Sequence, residues 1–229
     1  MSHSGINIFF EGSNFVRLLH GLLVSAEIAF VAIILGATLG IILGALRTTK
    51  SRIVRFILRI YLEFFRIVPT VVLLFLFYYI LPKNFNLNLS AEVVATLVFA
   101  LWMAAEMSDI VRSGLISVPK HQTDAGKAIG LNPVQLFRYI TLPQSLKLMI
   151  PATINLTSRV IKTTSLLLLI SVMDVINVGQ QIIEANQQQY QNGAFWVYGL
   201  IFILYFILCY PLSLWEKHMA RKEAAIQNG

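Results

Sequence analysis

Cysteine and charge are both scarce in this sequence. Cys209 is the only cysteine, which excludes an intrachain disulfide and a zinc site made of cysteines. Charged residues make up 13% of the chain, compared with about 25% in soluble domains. Hydrophobic residues make up 57%, and the mean hydropathy is +0.72. The composition therefore predicts an integral membrane protein.

Several chemical signatures are also missing. No G-x-x-x-x-G-K-[ST] loop occurs, so the chain is not expected to be a P-loop ATPase. The first 20 residues lack the basic start and short apolar core of a cleavable signal peptide. No nucleophile–base pair or group of metal ligands falls at one depth of the predicted membrane segments. We therefore expect no catalytic residue, no metal site and no cofactor on this chain.

Five segments approach the roughly 20 apolar residues that cross a membrane as a helix. The odd number leaves no room for complete paired inverted repeats, and so small a bundle does not easily surround a solute path. We therefore expect an all-α membrane domain that pairs with a second subunit around a two-fold axis. The predicted helices cover residues 21–46, 56–81, 91–111, 145–172 and 194–215, and residues 112–144 form the predicted cytoplasmic loop of this single transmembrane domain, residues 1–229.

Basic residues orient these segments, because Lys and Arg accumulate in cytoplasmic loops. The net charge is +7. The first loop has Arg47, Lys50, Arg52, Arg55 and Arg59 without an acid, and residues 174–193 have two acids without a Lys or Arg. The first loop should then be cytoplasmic and the second external. Five crossings place the N-terminus outside and the C-terminus in the cytoplasm.

A polar segment, residues 119–143, is predicted to fold as two short helices in the cytoplasm. Pro119 should open the first helix, and Asp124 falls near its positive end, where a carboxylate is favoured. Gly130 suits a left-handed C-terminal cap. Small residues give this helix a thin face for another protein surface, unless the loop packs on its own bundle. They are Ala125, Gly126 and Ala128.

The second short helix should begin at Asn132, which can cap it, with Pro133 at the first helical position. Pro143 is expected to separate this helix from the fourth membrane segment. The apolar side of the second helix is formed by Val134, Leu136, Phe137 and Ile140.

The spacing in this segment resembles the EAA loop of bacterial ABC-transporter permeases. In that family a Glu-Ala-Ala triplet is followed by three residues, Gly, nine residues and Ile-x-Leu-Pro. Here Asp124 stands in place of Glu and Gly126 in place of the second Ala. The spacing to Gly130 and to Ile140-Thr141-Leu142-Pro143 matches. The resemblance implies that the loop receives force from an ATPase on another chain.

Other motifs resemble the histidine/glutamine/arginine/glutamate group of ABC importers. This resemblance implies a type I importer permease fold of five or so membrane helices, paired as a homodimer or heterodimer. It also implies two cytoplasmic ATPases that bind ATP and Mg, and an extracytoplasmic binding protein that delivers an amino acid. The motifs are Phe65-Arg66-Ile67-Val68-Pro69-Thr70, Asp109-Ile110-Val111-Arg112-Ser113-Gly114, Val118-Pro119-Lys120-His121-Gln122, Leu142-Pro143-Gln144, Ile150-Pro151 with Asn155, and Lys162-Thr163-Thr164-Ser165-Leu166.

Ionisable residues inside the predicted helices are candidates for a solute path, because burying them is costly. Glu106 could accept hydrogen bonds from an amino group, and Arg159 could bind a carboxylate, with Asn155 on the same face. The alternative is that Glu106 and Arg159 pair within the protein. Lys162 and Ser165 share the helix face of Arg159 and are assigned to the path or to gating. Thr163, where the family usually has Asp, completes the predicted path residues.

Two further patterns in the first two segments are interpreted as structural. Arg59–Glu63 and Glu63–Arg66 have spacings at which opposite charges neutralise each other on one helix. Gly36, Gly40 and Gly44 recur every four residues, which lets two helix backbones approach closely. A different class of protein, a secondary transporter or channel that acts without an ATPase, remains the alternative to the importer, and a membrane-embedded enzyme is a third hypothesis.

Overall fold

The structure, a computed structural model, describes residues 5–86 and 88–222, with the helical backbone followed to residue 227. In these residues every regular element is helical. The first described element is a 3-10 helix, Gly5–Phe10. The α-helices that follow are α1 (Asn14–Leu46), α2 (Arg52–Ile67), α3 (Thr70–Phe75), α4 (Leu81–Phe85), α5 (Ala91–Ile116), α6 (Lys120–Ala128), α7 (Pro133–Leu136), α8 (Leu142–Thr163), α9 (Val175–Ala185) and α10 (Gly193–Gln227).

Three described helices are long and apolar enough to cross a membrane: α1, α5 and residues Gly193–Lys222 of α10. Five spans result only if the helices on the two sides of each of two breaks are taken together. One break lies between α2 and α3. The other lies between Ile170, where the helical run Pro133–Ile170 ends, and the start of α9 at Val175. The number of crossings and their orientation stay predictions.

The continuous helix predicted over residues 56–81 is wrong. Helix α2 ends at Ile67, and Val68 has extended backbone angles, φ −71° and ψ 124°. Pro69 follows and disfavours the helical region for the residue before it, so a new helix starts at Thr70. Leu76–Ile80 then forms a π-helical turn between α3 and α4.

The predicted external loop 174–193 contains a helix, α9. Asp174 caps this helix: its carboxylate accepts hydrogen bonds from the backbone N–H groups of Ile176 (3.2 Å) and Asn177 (2.9 Å). Ser25 of α1 accepts a further bond from the N–H of Val175 at 3.4 Å. The two acids without a base predicted that this segment is external, and the first of them, Asp174, caps a helix within it.

The chain forms two compact units. The first comprises Met1–Ala32, Thr70–Phe99 and Arg159–Pro211. Its buried cluster brings residues of α1, α9 and α10 together with the N-terminal 3-10 helix. Burial of these apolar side chains stabilises the unit. The cluster consists of Ile8, Leu18, Val175, Val178, Ile182, Tyr190, Val197 and Ile201.

The second unit comprises Ile33–Pro69, Ala100–Ser158 and Leu212–Gly229. The glycines of α1 pack directly on α5 in this unit. A Cβ atom at Gly40 would lie 2.5 Å from the Cβ of Met107, and one at Gly44 would lie 2.6 Å from the Cβ of Val111. Gly36 approaches the Ala100 carbonyl oxygen in the same way. The packing role predicted for these glycines is confirmed.

Helix α8 does not begin after a break at Pro143. Phe137–Thr141 forms a π-helical turn that joins α7 to α8, so the helical run is continuous from Pro133. The N–H of Leu142 donates to the carbonyl of Phe137, which is the wider π hydrogen bond. Pro143 has no N–H to donate, but it directly follows this wider turn, and the helical run continues through it. The predicted separation at Pro143 is therefore wrong.

Candidate functional site

The α6–α7 unit, residues 119–143, is built from short-range capping interactions. Gly130 has φ +86°, as a left-handed cap requires. The N–H of Leu131 donates to the Gly126 carbonyl at 3.1 Å, and that of Gly130 donates to the Lys127 carbonyl at 2.9 Å. This pair of bonds is the Schellman motif. The predicted C-terminal cap of α6 is confirmed.

The start of α7 is a capping box. The Asn132 side chain accepts from the N–H of Gln135 at 2.9 Å, and the Gln135 side chain accepts from the N–H of Asn132 at 3.0 Å. Pro133 occupies the first turn. Both donors that would otherwise lack partners are satisfied. The cap predicted at Asn132 is confirmed, and Gln135 is the partner that was not predicted.

Gly126 lies on the inner side of α6 and not on the face predicted to be open to another protein. It is buried, and a Cβ atom there would lie 2.6 Å from Cδ1 of Ile140 and 3.0 Å from Cδ1 of Leu136. Ala125 and Ala128 are exposed. The small residue at 126 therefore lets α6 pack closely on the helical run that contains Leu136 and Ile140.

Asp124 occupies a different position in α6 from the one predicted. Helix α6 begins at Lys120, so Asp124 is its fifth residue and lies beyond the first turn, where the effect of the helix dipole is strongest. Its carboxylate pairs with the Lys127 ammonium at 3.3 Å, and the two side chains are 51% and 64% exposed. An exposed pair of this kind contributes about 0–1 kcal/mol. The carboxylate is thus available to a partner protein.

One polar contact joins α6 to the first turn of α8. The side-chain amide of Gln144 donates to that of Gln122. Further along, Gly114 of α5 allows close approach to α8: a Cβ atom there would lie 2.5 Å from Cγ of Met149. These contacts hold α6, α5 and the first half of α8 together. Neither glutamine was singled out from the sequence, although both belong to quoted motifs.

A network of opposite charges links α2, α5 and the residue after α1. Arg66 pairs with Glu106 at 3.5 Å and with Asp109 at 3.2 Å. Asp109 also pairs with Arg47 at 3.1 Å. The side chain of Arg47 is only 11% exposed and that of Asp109 is 33% exposed, so the pairing compensates charges that are partly removed from water.

This network corrects the prediction for α2. Glu63 forms no ion pair within the described residues, so it neutralises neither Arg59 nor Arg66 there. Arg66 reaches across to α5 because its helix face meets that helix. Glu106 does pair within the protein, as one of the two alternatives held, and one of its partners is Arg66.

Asn155 of α8 has a partner that the sequence did not suggest. Its side-chain amide donates to the carboxylate of Glu216 in α10 at 3.0 Å. Glu216 lies beyond the predicted end of the last membrane segment. No local pattern connects residues 61 positions apart, so only the packing of α8 and α10 reveals this contact.

The remaining predicted path residues lie where α8 ends. Arg159 and Lys162 are exposed, and the Thr163 hydroxyl donates to the Arg159 carbonyl at 2.8 Å. Ser165 lies in the 3-10 helix Thr164–Ile170 that follows directly. Thr164 also contacts the Tyr205 hydroxyl at 3.0 Å.

The predicted residues thus fall into separate groups. Asp124, Ala125, Gly126 and Gly130 belong to α6 and its cap, and Pro143 is the second residue of α8, which continues the helical run on which α6 packs. Glu106 belongs to the ion-pair network. Asn155 contacts α10, and Arg159, Lys162, Thr163 and Ser165 cluster at the end of α8.

The arrangement of helices is that of an ABC type I importer permease. A crystal structure of an amino acid ABC transporter has a TM-score of 0.81 at 22% sequence identity, over 91% of this chain and 94% of that chain. An inward-facing structure of the MetNI methionine ABC transporter has a TM-score of 0.67 at 18% identity, over 91% and 97%. These similarities show the fold.

Sequence comparison then shows the family. The profile described as "Binding-protein-dependent transport system inner membrane component" matches residues 36–222. The chain belongs to this family and is the membrane-embedded permease subunit of an ABC importer. The fold and family expected from the motifs are confirmed. ATP hydrolysis belongs to a separate subunit of such a system.

Two relatives from Bacillus subtilis (strain 168) illustrate the family. The probable glutamine ABC transporter permease protein GlnP is 32% identical over 202 residues, covering 87% of this chain and 90% of that protein. The L-cystine transport system permease protein TcyB is 31% identical over 206 residues, covering 88% and 84%. Family membership does not support the alternative of a transporter or channel that acts without an ATPase.

Proposed function

We propose that this subunit carries a polar amino acid across the inner membrane by alternating access, driven by partner ATPases through the α6–α7 unit. The observation that carries the proposal is the continuous connection from α6 to α8. Gly126 packs on Ile140, and the helical run that contains Ile140 continues into α8. A displacement of α6 would therefore move α8 with it. Relatives named for glutamine and L-cystine support the substrate class.

The residues of the α6–α7 unit take two different roles in this proposal. Asp124 and Ala125 are exposed and would contact the ATPase. Gly126, Gly130 and Pro143 would act from within. The two glycines allow the close approach and the cap of α6, and Pro143 lies in the helical run that would carry the movement into α8. The chain would then transmit force and leave the chemistry to the ATPase.

The proposed substrate path uses polar residues of α5 and α8. Arg159 would bind the carboxylate of the amino acid, since a guanidinium matches carboxylate geometry. Glu106, which lies 3.5 Å from Arg66, would meet its amino group. A second group of polar residues lies at the end of α8, where the α-helix gives way to the 3-10 helix Thr164–Ile170. Asn155, Lys162, Thr163 and Ser165 complete this proposed path.

The proposed assembly follows from the same family. It contains two ATPase subunits, a second permease that is either another copy of this chain or a related chain, and an extracytoplasmic solute-binding protein. The proposed orientation places the N-terminus outside and the C-terminus in the cytoplasm. That orientation is supported by the acid-free basic loop between α1 and α2 and puts α6 on the side where ATP is hydrolysed.

The test is ATP hydrolysis by the assembled complex in nanodiscs. The chain is produced with its ATPase and binding protein, and each amino acid is supplied in turn on the binding protein. We expect one polar amino acid to stimulate hydrolysis in the wild type and the stimulation to be lost in Asp124→Lys. The variant reverses a charge on the exposed side of α6 without touching its packing.

Lys127→Gln is the matched control, because it breaks the Asp124–Lys127 pair without placing a new charge at position 124. We expect its stimulation to remain within about twofold of the wild type, since an exposed pair contributes little. An equal loss of stimulation in both variants would show that the Asp124–Lys127 pair matters and that a contact between Asp124 and the ATPase does not. Transport by the chain without any ATPase would reject the proposal.

A further inference from the structure

Helix α2 presents three different faces. Leu62 and Phe65 are buried, and they attach α2 to the rest of the second compact unit. Ile53, Ile57 and Ile60 are all more than half exposed, Ile53 by 73%. These three recur at spacings of four and three, so they form one apolar stripe. An exposed apolar stripe on a membrane protein is a surface for lipid chains.

Arginines occupy the third face of α2. Arg52, Arg55 and Arg59 follow one another at spacings of three and four, which places them on one side of the helix. Phe56 lies between this side and the apolar stripe. A helix with arginines beside an exposed apolar face has the pattern of an element at the membrane interface, where the charge meets headgroups.

Two residues from other elements complete a cavity on the arginine side. Arg47 follows the end of α1, and Arg112 projects from α5. The cavity has a volume of about 350 Å³, which is ample for a phosphate group with its substituents. Its lining consists of Arg47, Arg52, Arg55, Phe56, Arg59 and Arg112.

The charge of this cavity is not compensated by the part of the chain that the structure describes. Arg47 pairs with Asp109, but Asp109 is shared with Arg66. Within the described residues, the other four lining arginines form no ion pair. Glu63, on the same helix, is not among the lining residues. Five guanidinium groups around one space repel each other, and a bound anion would relieve that repulsion.

We propose that this cavity binds the phosphate of an anionic phospholipid headgroup. Guanidinium groups match phosphate oxygens because each offers planar, paired N–H donors. The lipid is favoured over a free phosphate because the cavity adjoins the exposed Ile53–Ile60 stripe, which would lie against the acyl chains. It also adjoins the end of α1, a helix that is apolar enough to cross the membrane. Anionic lipids are enriched in the cytoplasmic leaflet, where the loop before α2 is predicted to lie.

The test measures lipid retention by native mass spectrometry of the complete transporter. The purified complex is exchanged into neutral detergent and titrated with phosphatidylglycerol or, in parallel, with phosphatidylcholine. We expect selective retention of phosphatidylglycerol by the wild type. The Arg55→Gln/Arg59→Gln variant should weaken it roughly 30-fold, since each Lys or Arg near an anionic surface contributes about fivefold.

Two variants control for charge and for folding. Arg221→Gln/Lys222→Gln removes the same net charge from exposed positions of α10 and should retain phosphatidylglycerol as the wild type does. Arg55→Lys/Arg59→Lys keeps the charge and loses the paired donors. Its retention of phosphatidylglycerol should therefore lie between that of the wild type and that of Arg55→Gln/Arg59→Gln. Assembly of the complex, checked by size exclusion, shows that each variant is folded.

Several outcomes would overturn the proposal. Equal retention of phosphatidylglycerol and phosphatidylcholine by the wild type would show that no headgroup site exists, and this result needs no variant. Equal losses in the α2 and α10 variants would show that only net charge matters. A third arm adds inorganic phosphate or ATP at millimolar concentration: displacement of the lipid by either one would assign the cavity to a soluble phosphate compound.

Discussion

The two ends of helix α2 carry arginines in opposite circumstances. At its C-terminal end, Arg66 pairs with Glu106 and Asp109 of α5. At its N-terminal end, Arg52, Arg55 and Arg59 line a cavity, and the described residues supply them with no carboxylate. The residue type and the helix are the same. The difference is whether the neighbouring elements contribute acids.

This difference separates charges that hold the subunit together from charges that remain available to a ligand. A paired charge that is partly buried becomes costly when its partner is removed. Removing an exposed charge from a group of like charges costs little stability, because the repulsion between the remaining charges is reduced. Stability and ligand binding should therefore respond in opposite ways to mutation at the two ends of α2. Three substitutions test this contrast in order of decreasing effect on stability.

The largest effect is expected for Asp109→Asn. This change removes the carboxylate shared by Arg47 and Arg66, and Arg47 is largely buried. Breaking a buried ion pair from one side costs roughly 3–5 kcal/mol. We expect a loss of about 3 kcal/mol here, because Asp109 and Arg66 are partly exposed. Thermal unfolding of the complex in neutral detergent would measure it as a lower Tm.

Asp124→Asn is the matched control for this measurement. It also removes a carboxylate from an ion pair, but that pair is exposed on both sides. The expected loss is about 0–1 kcal/mol. If the two variants unfold at the same temperature, the network around Asp109 does not hold α2, α5 and the residue after α1 together, and the comparison fails.

An intermediate effect is expected for Glu106→Gln, because Arg66 keeps its pair with Asp109. The loss of one charge-assisted contact should cost about 1–2 kcal/mol. If Glu106 also lines the substrate path, the amino acid concentration for half-maximal transport should rise as well. Uptake into proteoliposomes would measure it, with Tm determined on the same preparation.

Arg66→Gln separates the two roles of Glu106. It breaks the same contact from the other side, removes the Arg66–Asp109 pair as well, and leaves the carboxylate of Glu106 in place. We expect a lower Tm with an unchanged half-maximal concentration for uptake. Equal shifts in that concentration for both variants would mean that Glu106 acts only through Arg66.

The smallest effect is expected for Arg59→Gln at the other end of α2. In neutral detergent the free energy of unfolding should change by no more than about 0.5 kcal/mol, as for other exposed substitutions. Any change should be an increase, since a like charge is removed from the cavity. Added phosphatidylglycerol should then stabilise the wild type more than the variant. A large loss of Tm without lipid would contradict the distinction between the two ends.

Short-range features of this protein were predictable. The cap at Gly130, the start of α7 at Asn132 and the close packing at Gly36, Gly40 and Gly44 were all expected and are confirmed. The first two depend on bonds between residues at most five positions apart. The glycine pattern depends only on the helical repeat.

The incorrect predictions involved a boundary, a facing direction or, for Glu63, the choice of a charged partner. The second predicted helix is broken before Pro69, while the proline at 143 interrupts nothing because a π-helical turn precedes it. Local propensity does not distinguish these two prolines. Gly126 was assigned to the outer face of α6, but it packs on Ile140. The side of a short helix that faces inwards depends on what packs beneath it.

The sequence alone determined the composition that requires a membrane, the apolar stretches, the caps and the motifs of the permease family. These depend on each residue and its near neighbours along the chain. Only the tertiary structure decided that Arg66 meets Glu106 and Asp109, that Asn155 meets Glu216, and that Arg112 joins the arginines of α2. The physical reason is that the rotation of each helix about its axis is set by many small packing contacts along its length. That rotation determines which distant charges become partners and which remain open to a ligand.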